Sequence, residues 1–186
     1  MILVIDGLQL AGKSTLIEKL KDYKKMKFDF SRYSREFDIN PGNIGAFQLG
    51  KDLALLYSLK SLHRKNQKIV LDRGVFSSIY YSLLYKRLNE EDILNLLDII
   101  QEEFNYEEIK YIFIIPKRGL NLNLERNKHD SYDDLEKEID NNILNFIKNE
   151  CEKRNINLII FINDFSKSVN FNSERLKEMI KWIQQK

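Results

Sequence analysis

Short apolar runs alternate along the chain with longer segments in which apolar residues recur at helical spacing. A continuous run rich in β-branched residues is typical of a strand that is buried on both faces of a parallel sheet. Ser31–Glu36 is a shorter, more polar candidate for one extra strand. The four runs that predict buried strands are Ile2–Asp6, Lys68–Asp72, Tyr111–Ile115 and Leu158–Ile162.

The segments between these runs predict helices. In Lys13–Lys27, for example, Leu16, Ile17 and Leu20 fall on one helical face. The predicted helices are Lys13–Lys27, Ile44–Lys65, Phe76–Leu88, Glu91–Phe104, Tyr132–Arg154 and Ser173–Gln185. Strands that alternate with helices predict an α/β fold, in which a parallel sheet of about five strands is covered by helices on both faces.

The length of 186 residues suits one domain over residues 1–186. Hydrophobic residues make up 43% of the chain and charged residues 31%, which indicates a globular protein rather than a disordered one. With 30 Lys and Arg against 28 Asp and Glu, the net charge of +2 gives no general attraction for nucleic acid or for an anionic membrane. We therefore expect neither a nucleic acid polymer nor a membrane as a partner.

Cysteine and histidine are scarce, which limits the possible chemistry. Cys151 is the one cysteine, so the chain cannot form an intramolecular disulfide or a zinc site of several thiolates. The first residues lack the basic leader of a signal peptide, no apolar stretch is long enough to cross a membrane, and the mean hydropathy is −0.43. These features together predict a cytoplasmic protein.

The stretch GLQLAGKS at residues 7–14 matches the phosphate-loop motif G-x-x-x-x-G-K-[ST], between a predicted strand and a predicted helix. Such a loop wraps backbone N–H groups around phosphate oxygens, and glycine permits the close approach. Lys13 can reach the β- and γ-phosphates of ATP, and the Ser14 hydroxyl can ligate Mg²⁺. The predicted ATP-binding residues are Gly7, Gln9, Leu10, Ala11, Gly12, Lys13, Ser14 and Thr15.

The second predicted strand ends in Asp72-Arg73-Gly74. Ligands bind at the carboxyl ends of strands in open parallel sheets, so Asp72 is expected beside the phosphate loop. Its carboxylate can hold Mg²⁺ through water or orient it, which makes Ser14 and Asp72 the predicted metal ligands. Arg73 offers a planar guanidinium that suits the phosphate of an acceptor.

These residues belong to a longer resemblance. DRGVFSSIYY at 72–81 is similar to D-R-[YH]-x-x-S-x-x-A-[YF] of the thymidylate kinase branch of P-loop nucleoside monophosphate kinases. SRE at 34–36, followed by PG at 41–42 and by Gly45, resembles a stretched version of that family's T-R-E-P-G-G-T-x-x-G. LLYS at 55–58 resembles its L-L-F-[AS], and INDFSKS at 162–168 its I-D-A-S-x-[ST]. The resemblance spans nearly the whole chain and implies the three-layer P-loop kinase fold with a short lid near residues 117–132.

The resemblance implies transfer of the γ-phosphate of ATP, with Mg²⁺, to a deoxynucleoside monophosphate. It implies that Arg35 and Arg73 bind the monophosphate, that Tyr57 stacks on the base, and that Asp72 supports Mg²⁺. Two further substrate candidates are Gln9, in the phosphate loop, and Ser77, the serine of the Asp-Arg motif. The catalytic candidates are Lys13, Asp72, Arg73 and Arg126.

The chain departs from the family pattern where charge is expected. Gln9 replaces an acid that often contacts the sugar 3′-hydroxyl, although an amide can also bond a hydroxyl. Leu10 and Ser131 replace arginines that different members carry in the phosphate loop or in the lid. Arg126 is the preferred substitute, because arginine suits bidentate phosphate contact. The other cations of the lid segment Lys117–Tyr132 are Arg118 and Lys128.

Two alternative functions stay open. A deoxynucleoside kinase would phosphorylate a hydroxyl group, and Glu36 is the candidate base for that reaction. A weakly catalytic protein could instead bind ATP as a conformational signal, which the replaced arginines favour. The resemblance also implies a homodimer formed through the predicted helix Phe76–Leu88, whose apolar residues could equally belong to the core of one chain.

Overall fold

The structure is a computed structural model, and it describes residues 1–8, 11–27, 44–63, 67–104, 109–117, 139–164 and 179–183. The strands are β1 (Ile2–Gly7), β2 (Lys24–Lys27), β3 (Ile69–Asp72), β4 (Ile109–Lys117) and β5 (Leu158–Asp164). The helices are α1 (Lys13–Lys19), α2 (Ile44–His63), α3 (Val75–Leu84), α4 (Glu90–Phe104) and α5 (Asn141–Lys153). Residues 179–183 form a further helical turn.

The five strands form one parallel sheet in the order β2-β3-β1-β4-β5. This confirms the predicted parallel sheet of about five strands, and β1, β3, β4 and β5 correspond to the four predicted apolar runs. Because the strands are parallel, β1 ends at Gly7 and β3 ends at Asp72 on the same side of the sheet, where the carboxyl ends of the strands meet.

Alternate residues of the sheet contribute to two cores. Ile2 and Val4 of β1 pack with α2, α3, α4 and α5, whereas Leu3 and Ile5 pack with α1 and the turn at 179–183. Side chains of a strand point alternately to its two faces, so both faces of β1 are buried. The uninterrupted apolar run of this strand follows directly from the three-layer arrangement.

The fifth strand of the sheet lies in a segment that was predicted to be helical. Lys13–Lys27 was expected to be one helix, but α1 ends at Lys19 and Lys24–Lys27 pairs with β3 at the edge of the sheet. The apolar repeat of α1 stops at Leu20, and the following residues are polar. An edge strand such as β2 is exposed except at Met26, so its sequence carries no continuous apolar run. The other candidate strand, Ser31–Glu36, lies outside the described residues.

Two helix boundaries also differ from the prediction. The helix expected over Phe76–Leu88 ends at Leu84, and Lys86 has a φ of 52°, which a continuing helix does not permit. The helix expected over Tyr132–Arg154 begins at Asn141, because Asp140 is extended and its carboxylate accepts hydrogen bonds from two amides of the first turn. Among the described residues, no helix is long and apolar enough to span a bilayer.

Candidate active site

The phosphate loop leaves β1 through a position that only glycine can occupy. Gly7 has a φ of 129°, and a Cβ there would lie 2.1 Å from the carbonyl oxygen of Ile114 in β4. The next amide, that of Leu8, donates to the same carbonyl at 3.0 Å. At the other end of the loop, Gly12 has a φ of 88° and precedes α1. The loop is thus pressed against β4 where it begins.

Lys13 folds back over the loop that precedes it. Its Nζ donates to the carbonyl oxygen of Gly7 at 3.0 Å and also to that of Leu8. The residue is only 7% exposed. Burial, together with the positive charge of Arg73, lowers the pKa of Lys13 to about 8, although the carboxylates of Asp6 and Asp72 act in the opposite direction. A phosphate in the loop would restore the charged state, because it brings a compensating anion.

The remaining loop positions vary in accessibility. Ala11 is buried, Gly12 and Thr15 are partly buried, and the Ser14 side chain is exposed. Gln9 and Leu10 lie outside the described residues, so their predicted contacts stay predictions. The exposed Ser14 hydroxyl is accessible to a ligand at the start of α1.

The Asp-Arg pair at the end of β3 lies next to Lys13, as predicted. The Asp72 carboxylate is 15% exposed and has Oδ2 4.0 Å from Nζ of Lys27. The Arg73 side chain is exposed, and its positive charge influences the pKa of both Lys13 and Asp52. The structure therefore brings three of the four predicted catalytic residues together, since the fourth, Arg126, lies outside the described residues.

Ser77 is buried, and both functions of its hydroxyl are in use. It accepts from the amide of Gly7 at 3.1 Å and donates to Oδ1 of Asp6 at 2.6 Å. This bond pair ties the start of α3 to the start of the phosphate loop. Direct contact with substrate stays a prediction that this arrangement does not favour.

Asp6 was not predicted as a site residue. Its side chain is fully buried at the end of β1, and burial raises the pKa of its carboxyl group to about 6, although hydrogen bonds from Ser77 and Gly74 oppose the rise. The sequence did carry a signal, because an acid ends an otherwise apolar run at residue 6. A charged side chain that ends a buried strand needs partners, and those partners are contributed by residues 74–77.

Asn163, near the end of β5, was also not predicted. Its side chain is fully buried, and Nδ2 donates to the carbonyl oxygen of Ala11 in the phosphate loop at 3.0 Å. Among the described residues, its Oδ1 has no hydrogen-bond partner. The loop is therefore braced from both sides, by Ser77 near its start and by Asn163 near its end.

A buried polar group joins α2 to α3 within reach of the charge of Arg73. Asp52 is 1% exposed, its Oδ2 accepts from the Ser78 hydroxyl, and its Oδ1 lies 2.7 Å from Nζ of Lys51. Burial raises the pKa of Asp52, although the charges of Lys51 and Arg73 act against the rise. This group was missed because its members become neighbours only when α2 packs on α3.

Tyr57 lies apart from these residues. Its ring packs edge-on against Phe104, with 4.7 Å between the ring centroids, and the side chain is 49% exposed. Phe104 ends α4 shortly before β4 begins, at the opposite edge of the sheet from the phosphate loop. Stacking of Tyr57 on a base stays a prediction, and so does the role of Arg35, which lies outside the described residues.

No family model matches the chain. A thymidylate kinase from Buchnera aphidicola subsp. Baizongia pistaciae is 22% identical over 207 residues, covering 97% of this chain and 95% of that protein. The crystal structure of thymidylate kinase from Ehrlichia chaffeensis matches with a TM-score of 0.61 and 14% identity, over 99% of this chain and 98% of the other. The chain has the fold of the thymidylate kinases.

Two structures of deoxyadenosine kinase from M. mycoides also match the chain over nearly its whole length. One, with the products dCMP and dCDP bound, has a TM-score of 0.55 and 14% identity over 98% of each chain. The other, with bound dATP, has a TM-score of 0.53 and 16% identity over 100% of each chain. The matches confirm the predicted fold class, and the fold is common to kinases of different acceptors.

Proposed function

We propose that this chain is an ATP-dependent phosphotransferase that passes the γ-phosphate of ATP to a deoxynucleoside monophosphate. The observation that carries the proposal is the convergence of Lys13 and Arg73 at the carboxyl ends of β1 and β3. Lys13 belongs to the phosphate loop, whereas Arg73 lies outside it. One cation therefore serves the donor phosphates and the other serves the acceptor phosphate. The thymidylate kinase relatives support the same assignment.

The chain's own residues account for donor binding. When phosphates enter the loop, Lys13 exchanges the carbonyl oxygens of Gly7 and Leu8 for the oxygens of the β- and γ-phosphates. The backbone amides of Lys13 and Ser14, in the first turn of α1, supply further donors around the same oxygens. Ser77 and Asn163 hold the loop in place, so little rearrangement of the backbone is needed when ATP binds.

Ser14 and Asp72 suit Mg²⁺, which prefers hard oxygen ligands and usually keeps water and phosphate oxygens as its other ligands. The Ser14 side chain is exposed, and the partly exposed Asp72 carboxylate has Nζ of Lys27 at 4.0 Å. Asp6 is a poor candidate by comparison, because its oxygens already accept three hydrogen bonds and are buried. Bound Mg²⁺ would neutralise part of the phosphate charge during transfer.

The other assignments rest on the family resemblance. Arg126 supplies positive charge to the transferring phosphoryl group, Arg35 assists Arg73 at the acceptor, Gln9 bonds the sugar, and Tyr57 stacks on the base. The protein acts in the cytoplasm, and homodimers form through α3. Ile79 and Tyr80 of α3 are buried within the chain, so the interface has to use the partly buried Leu83 and Leu84.

A deoxynucleoside kinase is the second candidate, and the deoxyadenosine kinase structures support it. A panel of acceptors separates the candidates. ADP release is measured with ATP, Mg²⁺ and each of dTMP, dUMP, dCMP, dAMP, dGMP, thymidine, deoxycytidine and deoxyadenosine, and without an acceptor. The proposal requires release with at least one monophosphate that exceeds release with any nucleoside.

Other results of the panel have defined meanings. Release with nucleosides alone would assign a hydroxyl acceptor. Binding of ATP without release above the level of the no-acceptor sample would indicate a nucleotide-binding protein. Lys13→Ala is the negative control, because it removes the phosphate-binding charge while leaving the apolar core unchanged.

A further inference from the structure

The backbone of Arg73 is in a conformation that an arginine rarely adopts. Its φ is 73°, in the left-handed region that favours glycine. Such a conformation persists only where the surroundings determine it from several directions. The direction of the Arg73 side chain depends on this backbone conformation, because the residue lies directly at the turn between β3 and α3.

Two consecutive amides fix the backbone on either side of the Arg73 Cα. The Arg73 amide donates to the carbonyl oxygen of Ile5 at 2.9 Å. The next amide, that of Gly74, donates to Oδ1 of Asp6 at 2.7 Å. The first bond extends the sheet pairing between β1 and β3, whereas the second depends on a side chain. A substitution of Asp6 can therefore remove the second hydrogen bond while the first one stays.

The fit around Asp6 is close. A Cβ on Gly74 would lie 2.4 Å from Cγ1 of Val4 and 3.2 Å from Oδ2 of Asp6, so the residue after Arg73 must be glycine. The second oxygen of Asp6 accepts from the Phe76 amide at 3.2 Å, and Ser77 donates to the first oxygen. The carboxylate thus holds the first turn of α3 as well as the turn that contains Arg73.

We propose that Asp6 is a positioning residue for the acceptor, because it holds Arg73 in its left-handed conformation and so directs the guanidinium toward the acceptor phosphate. The inference rests on the proposed function, in which Arg73 binds that phosphate. It predicts that loss of the Asp6 carboxylate affects the acceptor much more than ATP. Lys13, which binds the donor, donates its hydrogen bonds to loop carbonyls and none to Asp6, whose carboxylate acts on Lys13 through its charge.

The test uses Asp6→Asn, which keeps the shape of the side chain but replaces an accepting oxygen with a donating nitrogen. KM values are measured with dTMP, or with the monophosphate that the acceptor panel selects. We expect the KM for the acceptor to rise about tenfold, with the KM for ATP changed by less than about twofold. Equal rises in both KM values would overturn the inference.

A double-mutant cycle shows whether Asp6 acts through Arg73. In the Arg73→Ala background, Asp6→Asn should raise the acceptor KM by less than about twofold, because the guanidinium that it positions is gone. If the acceptor KM of the double variant rises by the product of the two single fold-changes, Asp6 acts independently of Arg73. If Asp6→Asn does not fold, Asp6→Glu, which displaces the carboxylate by one methylene, is measured in the same cycle with the same expectations.

Asp140→Asn is the matched control. Asp140 accepts from the amides of Asn142 and Ile143 at the start of α5, so it resembles Asp6 as a helix-capping carboxylate. Its variant should lower the melting temperature and leave both KM values unchanged. If the KM for the acceptor is unchanged in Arg73→Ala, both the proposed function and the inference are contradicted. If that KM rises in Arg73→Ala but not in Asp6→Asn, only the inference is contradicted.

Discussion

At Lys13, burial and neighbouring charge act on one ammonium group, and the result is a pH-dependent site. Its pKa is lowered to about 8 by burial and by Arg73. Bound phosphate favours the charged form and raises the pKa again. Below pH 8 the group is already charged when ATP arrives, whereas above pH 8 it must first take up a proton. ATP affinity should therefore fall as the pH rises through this value.

We expect the dissociation constant of ATP to rise about tenfold between pH 7 and pH 9, with uptake of close to one proton at the upper end. Calorimetry in buffers of different ionisation enthalpy measures both quantities. Lys13→Ala should bind ATP weakly and show neither effect. The same pH dependence in Lys13→Ala would assign the titration to another group.

Gly7 illustrates a constraint that arises from the backbone alone. Gly7→Ala would place a Cβ 2.1 Å from the Ile114 carbonyl oxygen, at a φ of 129°. We expect a loss of at least about 2 kcal/mol in the free energy of unfolding. Gly50→Ala is the control, because a Cβ there meets nothing within 4 Å and alanine is favoured in a helix, which should add about 1 kcal/mol. Chemical denaturation of both variants checks the pair, and similar stabilities would contradict the structure at Gly7.

At the scale of elements, β5 supports the phosphate loop from the far side of β4. Asn163→Leu removes the hydrogen bond to Ala11 but also removes the buried Oδ1, which has no hydrogen-bond partner among the described residues. Because these two effects on stability oppose one another, we expect the free energy of unfolding to change by less than about 1 kcal/mol. The KM for ATP should rise several-fold as the loop loses its brace. A large loss of stability with an unchanged KM would show that Asn163 holds the fold and not the loop.

The elements also show which parts of the structure could be predicted. β1, β3, β4 and β5 are buried on both faces, so their apolar runs are visible in the sequence. Within the described part of the chain, β2 pairs only with β3 and is exposed at three of its four residues, so its polar sequence continued the pattern of α1. Elements that bury little surface leave little trace in the sequence.

The same reasoning applies to the site. Lys13, Asp72 and Arg73 were predicted because each belongs to a short motif that directly follows a strand. Asp6 and Asn163 were missed because their partners are distant in sequence: Asp6 bonds residues 74–77, and Asn163 bonds Ala11. Only the parallel pairing of strands makes these residues neighbours.

At the scale of the whole molecule, the strand order places the proposed donor and acceptor cations after two neighbouring strands. β1 lies between β3 and β4, so the phosphate loop begins in the middle of the sheet. Arg73 follows the neighbouring strand β3. Ligands of open parallel sheets bind at such positions, outside the carboxyl ends of the strands. The two halves of the proposed reaction thus depend on different strands and can be disabled separately.

The predicted lid belongs to this scale because it would act on both substrates at once. Arg126→Ala should lower kcat strongly and change ATP binding little, because the negative charge that Arg126 would stabilise develops on the phosphoryl group during transfer. Arg118→Ala and Lys128→Ala are the matched variants, measured by steady-state kinetics beside ATP titrations. A loss of kcat confined to one of those two would move the role to that residue, and wild-type kcat in all three would contradict a lid cation.

The central claim is that Arg73 binds the acceptor while Lys13 binds the donor, and one pair of KM values tests it most directly. In Arg73→Ala, with dTMP or the monophosphate preferred by the panel, the KM for the acceptor should rise by about two orders of magnitude, because a charge-assisted bidentate contact is lost. The KM for ATP should stay within about threefold of the wild-type value. Equal rises in both KM values, or an unchanged acceptor KM, would contradict the claim.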